Sequence, residues 1–206
     1  MAKNIVRFGL ISTAQIGLNA HLPASQESKN SEIVSISSRN AEKAQAAAEK
    51  HGIERWYASY QEQLADPNID AVINSLPNSM HCEWTIKAAE AGKHILCEKP
   101  LAMTAEECQR MIDAANANNV VLIEAFTHRW NPHLRKARKI VADGEIGKIS
   151  TIDASLCFIS KPDGNVRYSK QLGGGSLYDA GCYAIYATRF VMSDEPIKVY
   201  GAANYS

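Results

Sequence analysis

The sequence predicts an α/β protein with an N-terminal doubly wound parallel sheet, followed by an incomplete α/β domain with an open sheet. Up to Glu124, short apolar runs of strand length alternate with longer segments that carry helical spacing and capping signals. Beyond Glu124 this alternation stops, and one long alternating strand pattern follows. Strands separated by helices are typical of a parallel sheet covered on both faces. We therefore expect one domain over residues 1–124 and a partial second domain over residues 125–206.

The elements of the first domain follow from local signals. Six strands are expected, and five of them are placed at Ile5–Ile11, Ile33–Ser37, Ala71–Ser75, Lys93–Cys97 and Val120–Glu124. The helices are predicted at Ala41–His51, Ser79–Ala91 and Ala105–Asn118, with a short one between Ser59 and Asp66. Asn40 can cap one helix start, and Gly52 and Gly92 can end two helices in the left-handed conformation. Capping boxes are expected at Ser59 with Glu62 and at Thr104 with Glu107.

The second domain is predicted with fewer elements. Its helices are expected over His133–Ala142 and Leu177–Val191, its strands over Lys148–Ile159 and Ile197–Tyr205, and a polar loop over Ser160–Leu172. The last strand has no further segment to pair with, so the sequence predicts that this domain is incomplete.

Composition excludes several classes of function. The chain has 206 residues, of which 46% are hydrophobic, so it can bury a core. Its 22 basic and 22 acidic side chains cancel, which leaves no basic stripe for nucleic acid. The apolar runs have strand length and the N-terminus lacks a signal-peptide pattern, so we expect a cytoplasmic protein that does not bind membranes. Five cysteines without zinc spacing favour free thiols.

The turn after the first strand has the position of a dinucleotide-binding loop. Ser12-x-Ala14-x-x-Gly17 replaces two glycines of the Gly-x-Gly-x-x-Gly pattern by small residues. Serine and alanine let a pyrophosphate approach if their φ angles stay negative. Such a loop brings backbone N–H groups and the positive end of the next helix to the phosphate.

The end of the second strand favours NADP over NAD as the cofactor. NAD-binding folds place an acidic residue there to hold the ribose diol, whereas this strand ends in Ser37-Ser38-Arg39. A hydroxyl and a guanidinium bind a 2′-phosphate, which a carboxylate would repel. The alternative is that Arg39 is only a solvated charge at a helix entry.

Two later strand ends carry candidate polar groups. Glu98-Lys99-Pro100 follows an apolar strand and displays a lysine where such sheets bind their ligands. Leu76-Pro77-Asn78-Ser79 is expected to border the ribose on the nicotinamide side, and His81 follows in the first helical turn. Packing or capping is the alternative for His81, and a surface lysine is the alternative for Lys99.

Several motifs in one order resemble the glucose-fructose oxidoreductase, inositol dehydrogenase and MocA family. They are Ser12 to Gly17, Ser37-Ser38-Arg39, Glu98-Lys99-Pro100 and Asp179-x-Gly181-x-Tyr183. The NADP-dependent dihydrodiol and D-xylose dehydrogenase branch is the most similar, through Leu76-Pro77-Asn78-Ser79-x-His81, Glu124-Ala125-Phe126-x-x-Arg129 and Gly173-Gly174-Gly175-Ser176-Leu177-x-Asp179. The similarity spans essentially the whole chain, but family members are longer, which suggests a C-terminal truncation.

The resemblance implies an N-terminal Rossmann domain, a C-terminal α/β domain whose open sheet often forms a dimer interface, and so a homo-oligomer in the full-length form. It also implies catalytic roles for Lys99, for Tyr183 as acid/base and for Asp179. Since positions 179 and 183 are one helical turn apart, their side chains are expected on one helix face. Without the resemblance, the alternative is that Tyr178, Tyr183 and Tyr186 are core packing residues. The expected cofactor residues are Ser12, Thr13, Ala14, Gln15, Ile16, Ser37, Ser38, Arg39, Leu76, Pro77, Asn78, His81, Glu98, Lys99 and Arg129.

The leading hypothesis is hydride transfer between NADP(H) and a carbinol carbon of a sugar or cyclic diol, with Tyr183 as acid/base assisted by Lys99. Arg167 and Tyr168 are candidates for substrate specificity, and Trp130 is a candidate cover for the nicotinamide or an interdomain packing residue. An NADP-binding sensor without turnover and an inactive fragment are the alternatives. A metal centre is not expected, because His128 and His133 lack ligand spacing, and no Gly-x-Ser-x-Gly elbow indicates a hydrolase.

Overall fold

The computed structural model describes residues 5–161 and 163–203. The chain divides into two compact units. The first consists of the residues up to Ala125 together with Gly164–Gly174, and the second consists of Phe126–Asp163 and the residues from Gly175 onwards. A segment that follows the second unit's first helix in sequence therefore belongs to the first unit.

A six-stranded sheet, parallel at every pairing, forms the centre of the first unit. Its strands are β1 (Val6–Ile11), β2 (Ser31–Ser37), β3 (Arg55–Tyr57), β4 (Ala71–Asn74), β5 (His94–Cys97) and β6 (Leu122–Glu124). They are arranged in the order β3-β2-β1-β4-β5-β6. This order confirms the predicted doubly wound sheet and reverses between β1 and β4, where such folds bind their ligands. Six strands were expected and five were located from the sequence; the sixth is β3.

Helices cover both faces of this sheet. A π-helical turn (Gly17–His21) leads into α1 (Leu22–Glu27), which is followed by α2 (Ala41–His51), α3 (Tyr60–Ala65), α4 (His81–Glu90) and α5 (Ala105–Ala117). Because successive side chains along a strand point to opposite faces of the sheet, neighbouring residues pack in different hydrophobic clusters. Leu10 packs in one buried cluster with Leu22 and Ala48, whereas Ile11 packs in the other with Trp84 and Met111.

The predicted N-caps and the glycine end of α2 are confirmed, whereas Glu107 accepts from the Met103 amide at 3.0 Å and not from the Thr104 amide that a capping box requires. The Asn40 side chain accepts a hydrogen bond from the Lys43 amide at 2.8 Å, and Gly52 ends α2 with a φ of 66°. Ser59 and Thr104 each accept a bond from the amide three residues on, at 3.2 Å. These local bonds satisfy N–H groups that the first helical turn leaves unpaired, so the helices begin where the sequence places them.

In the second unit, the helices agree with the prediction and the strands do not. A 3-10 turn (Thr127–Trp130) precedes α6 (Pro132–Ala142), and a π-helical turn (Leu177–Gly181) leads into α7 (Cys182–Met192). The predictions of strands over residues 148–159 and 197–205 are wrong for the described residues, where neither segment pairs with another strand. Ile159 is 99% exposed and Ile197 is 97% exposed. Tyr205 lies outside the described residues. An alternating pattern forms a strand only where a neighbouring backbone accepts its hydrogen bonds.

Within residues 5–161 and 163–203, no helix is long and apolar enough to cross a membrane.

Candidate functional site

The carboxyl ends of the parallel strands lie at one edge of the sheet in the first unit. The ends of β1, β2, β4 and β5 and the segments that follow them therefore meet along this edge, and these strand ends and segments carry all but one of the predicted cofactor residues. The exception is Arg129, which is exposed in the second unit.

Ser12 takes the backbone conformation that glycine usually supplies in a dinucleotide loop. Its φ is 88°, so the condition of a negative φ is not met at Ser12. A left-handed serine is strained, but its hydroxyl donates to the Ser75 carbonyl and accepts from the Ala14 amide, each at 3.2 Å. A Cβ on Gly17 would lie 3.4 Å from both Leu10 Cδ2 and Ser75 Oγ, in van der Waals contact, so the helix packs closely on the strand at this residue.

The helix after this loop begins with backbone N–H groups that have no acceptor within the helix. The chain is helical from residue 15, and the first intrahelical bond runs from the Leu18 amide to the Ala14 carbonyl at 3.3 Å. The preceding N–H groups have no helical acceptor, and the helix dipole adds positive potential there. Thr13 and Ala14 are partly exposed, and Gln15 and Ile16 are exposed. The loop therefore fits a pyrophosphate group.

At the end of β2, the three predicted cofactor residues differ in accessibility. Ser37 is completely buried, and its hydroxyl donates to Gln63 Oε1 at 2.5 Å. Direct contact of the Ser37 side chain with a ribose does not fit this geometry, since the hydroxyl is buried and donates its hydrogen bond to Gln63. Ser38 is 9% exposed and caps the Asn40 amide at 3.2 Å, whereas Arg39 is exposed. Arg39 is thus the residue of this group that can reach a phosphate.

The end of β4 contacts the segment Gly164–Gly174. The Asn78 side-chain amide donates to the Gly173 carbonyl at 2.8 Å. A Cβ on Gly173 would lie 2.5 Å from Met103 Sδ and 2.9 Å from Asn78 Cβ, and the residue has a φ of 77°. Only glycine allows this close approach. Gly173 is therefore held closely against the end of β4.

His81 is buried between two strand ends. Its Nδ1 lies 2.8 Å from the Pro100 carbonyl oxygen and its Nε2 lies 2.8 Å from the Leu76 carbonyl oxygen. Burial lowers the pKa of this imidazole, and both of its nitrogens face the protein. A cofactor contact by His81 or by the buried Leu76 side chain does not fit this arrangement. The histidine instead connects the loop after β4 to the loop that carries Lys99.

Carboxylates hold the Lys99 loop at the end of β5. Glu98 Oε2 accepts from the Lys99 amide at 3.2 Å, and Glu98 Oε1 lies 2.7 Å from His21 Nε2. Glu124 accepts from the Leu101 amide at 2.9 Å, and burial raises the pKa of Glu124. Lys99 itself is partly exposed. His21 was not predicted as a residue of this site, because its partner Glu98 is 77 residues away and no local signal connects them.

In the second unit, Asp179 and Tyr183 lie where a π-helical turn passes into α7. Single π turns often occur at functional sites, and four positions still complete nearly one turn. The Tyr183 ring lies 5.0 Å from the Phe126 ring and 4.3 Å from the His128 ring, measured between centroids. Both Asp179 and Tyr183 are partly exposed. The structure thus places the predicted acid/base in an aromatic cluster.

Among the described residues, no group of three or more histidine, cysteine, aspartate or glutamate side chains could hold a metal ion.

Two family models together match most of the chain. One is described as an oxidoreductase family with an NAD-binding Rossmann fold and matches residues 6–126. The other is described as the GFO/IDH/MocA C-terminal domain and matches residues 134–206.

The relatives are oxidoreductases. D-xylose 1-dehydrogenase (NADP(+)) 2 of Haloferax volcanii is 40% identical over 195 residues, which cover 94% of this chain and 59% of that protein. Trans-1,2-dihydrobenzene-1,2-diol dehydrogenase of Xenopus tropicalis is 37% identical over 165 residues, or 80% of this chain and 49% of the relative. A crystal structure of a 3-ketoreductase from Actinomadura kijaniata with NADP and TDP-benzene has a TM-score of 0.86 and 34% identity, covering 92% of this chain and 58% of the other. The chain thus spans from about half to about three fifths of these relatives.

Proposed function

The chain belongs to the GFO/IDH/MocA family of oxidoreductases, and from this premise we propose that it transfers a hydride between NADP(H) and a secondary hydroxyl or carbonyl group of a sugar or cyclic diol. We assign cofactor binding to residues 1–124 and substrate chemistry to residues 125–206. The observation that carries the proposal is the carboxyl edge of the first unit, where a loop leading into a helix N-terminus, an exposed arginine and a partly exposed lysine lie at the ends of β1, β2 and β5.

The choice of NADP rests on Arg39. This guanidinium is exposed directly after β2, where the 2′-position of an adenosine ribose would lie, and no acidic residue precedes it at the strand end. A charge-assisted bond from arginine to phosphate is about twice as strong as a neutral one. The D-xylose dehydrogenase relative is named for NADP, and the 3-ketoreductase was crystallised with NADP, which supports the same choice here.

We assign two tasks to the side chains of this protein, which are transfer of the substrate's hydroxyl proton and positioning of the substrate. When bound, the nicotinamide supplies or accepts the hydride. Oxidation of a carbinol also releases the hydroxyl proton, which we assign to the Tyr183 phenolate as base, and reduction reverses this transfer. Lys99 assists by its positive charge, since a nearby cation stabilises a phenolate and lowers a pKa that is ordinarily about 10. Asp179 binds a second hydroxyl of the substrate.

The proposal is tested in two steps. Fluorescence titration with NADPH and NADH measures cofactor selectivity, and we expect tighter binding of NADPH. The NADP-loaded protein is then assayed with aldoses, dihydrodiols and a nucleotide-linked ketosugar by absorbance at the nicotinamide band. Turnover supports the proposal. Selective binding without turnover of any compound would instead favour an NADP sensor, and a folded protein that binds neither nucleotide would overturn the cofactor assignment.

A further inference from the structure

His128 occupies a distinctive position in the second unit. It lies in the 3-10 turn Thr127–Trp130, directly after the buried residue Phe126. Its imidazole ring is tilted by 50° against the Tyr183 ring, with 4.3 Å between the centroids. The remaining members of this cluster pack through carbon faces, with Tyr186 at 4.6 Å from Phe126 and 5.4 Å from Phe190. Histidine is therefore the one ring of this cluster that carries nitrogen atoms.

One of the two nitrogens is unpaired inside the fold. His128 Nδ1 is buried and has no hydrogen-bond partner among the described residues. An unpaired buried nitrogen costs free energy that a phenylalanine at this position would avoid. Burial also lowers the pKa of the ring, which keeps it neutral near pH 7. Packing alone therefore does not explain why a histidine stands here.

The burial of Nδ1 determines where the proton lies. A neutral imidazole has one N–H donor and one acceptor nitrogen. Buried N–H groups without an acceptor are rarer than buried acceptors without a donor, so the proton is favoured on Nε2. The side chain is only partly exposed, and its tilt against Tyr183 restricts the direction of the ring. His128 is thus a neutral, oriented hydrogen-bond donor beside the proposed acid/base.

We propose that His128 is a substrate-binding residue, whose Nε2–H donates to an oxygen of the carbohydrate or diol on which Tyr183 acts. This inference rests on the proposed function, because it takes Tyr183 as the acid/base. Sugars and diols offer hydroxyl or carbonyl oxygens next to the reacting carbon, and a neutral donor can bind them without attracting the proton that Tyr183 exchanges. His128 would therefore contribute to the selection of polyhydroxylated substrates.

The test replaces His128 by three residues in the complete chain, with NADP and D-xylose as the first probe and the other sugars and diols of the panel after it. His128→Phe keeps the ring packing and removes both nitrogens, and we expect its KM for the sugar to rise about tenfold, as for the loss of one hydrogen bond. His128→Gln carries an amide near the position of Nε2 and should recover most of this loss. His128→Asn carries its amide near Nδ1 and should not recover it.

Two controls separate binding from folding. The NADPH dissociation constant of each variant should equal that of the unmodified protein. Each variant should also unfold in one cooperative transition, with His128→Phe melting at or above the temperature of the unmodified protein because it removes the unpaired buried nitrogen. Tyr186→Phe removes only a hydroxyl from the same cluster and should leave KM unchanged. An unchanged KM in His128→Phe would overturn the inference. So would a rise in KM that His128→Gln and His128→Asn reverse to the same extent.

A measurement without turnover separates this inference from the proposed function. Nitrogen-15 NMR of the His128 ring, assigned through the His128→Phe variant, should show the neutral Nε2–H form at pH 7 and a shift when D-xylose is added to the NADP-loaded protein. A proton on Nδ1, a charged ring or no response to any sugar or diol of the panel would overturn the inference. Normal turnover by Tyr183→Phe would instead overturn the role of Tyr183 in the proposed function.

Discussion

The two units of the chain satisfy their backbone polar groups to different extents. In the first unit, every strand from β1 to β6 pairs with a neighbour, and side chains cap the helices or bond to the loops at the strand ends. In the second unit, residues 148–161 and 196–203 form neither helix nor strand, and Ile197 is 97% exposed. The comparison shows that a local strand pattern becomes a strand only where a partner lies within reach. It also divides the proposed chemistry, since the predicted cofactor residues other than Arg129 lie in the sheet unit and the predicted acid/base lies on a helix of the other unit.

If cofactor binding and acid/base chemistry belong to different units, the largest expected effect is on turnover when the Tyr183 hydroxyl is removed. Tyr183→Phe keeps the ring contacts with Phe126 and His128 but removes the hydroxyl, so turnover should fall by about 10²-fold or more, as for loss of a general acid/base. NADPH affinity, assigned to the other unit, should not change. Steady-state kinetics and fluorescence titration of the same preparation measure the two effects. A parallel loss of NADPH binding would show that the units do not divide the work in this way.

The reciprocal prediction concerns Arg39 in the first unit. Arg39→Ala should weaken NADPH binding on the order of a hundredfold and leave NADH binding unchanged, because a charged hydrogen bond to the 2′-phosphate is lost. Lys43→Ala removes a neighbouring exposed charge from α2 and serves as the control for general electrostatics. Equal losses in both variants, or a loss that NADH shares, would refute a specific contact between Arg39 and the 2′-phosphate.

Local patterns explain which parts of the first unit were predictable. The helix Ala41–His51 was predicted with both ends, since Asn40 and Gly52 act within a few residues. The family membership that the ordered motifs predicted is confirmed by the matches over both parts of the chain. By contrast, β3 is only three residues long and has no alternation, so its identity depends on pairing with β2.

The candidate site was less predictable, because burial and long-range contacts decide which side chains can act. Ser37 is withdrawn from the surface by Gln63, and His81 is enclosed by carbonyls from two separate loops. Neither contact leaves a trace in the local sequence. The roles of Lys99, Asp179 and Tyr183 remain predictions, since they follow from motif resemblance and await the experiments described above.

Gly173 provides a test of the segment that joins the first unit from far along the chain. Gly173→Ala should lower the free energy of unfolding by about 2 kcal/mol more than Gly164→Ala, as measured by urea denaturation. Both glycines have positive φ angles, but a Cβ on Gly173 meets Met103 and Asn78, whereas a Cβ on Gly164 meets no atom within 4 Å. Equal losses in the two variants would mean that backbone conformation, and not docking on the β4 end, requires Gly173.

The smallest expected effect is a pH dependence at Asp66, at the opposite end of the sheet from the candidate site. Burial alone would raise the pKa of Asp66, but bonds from Tyr57 at 2.5 Å, from the Asn68 amide at 2.8 Å and from Arg55 at 2.8 Å lower the pKa to about 2. The folded-state pKa is below that of the unfolded chain, so the stabilisation is present above about pH 4 and is lost as the pH falls towards 2. Between pH 6 and pH 3 the first unit should lose about 1 kcal/mol from this group.

Urea denaturation of Asp66→Asn across this pH range checks the effect, because the amide cannot titrate. The variant should be less stable at pH 6 and should show a flatter pH profile than the unmodified chain. Asp153→Asn, at an exposed position of the second unit, should keep the original profile. If the two variants gave the same profile, the acid sensitivity would arise from general charge and not from the bonds that hold Asp66 in the sheet unit.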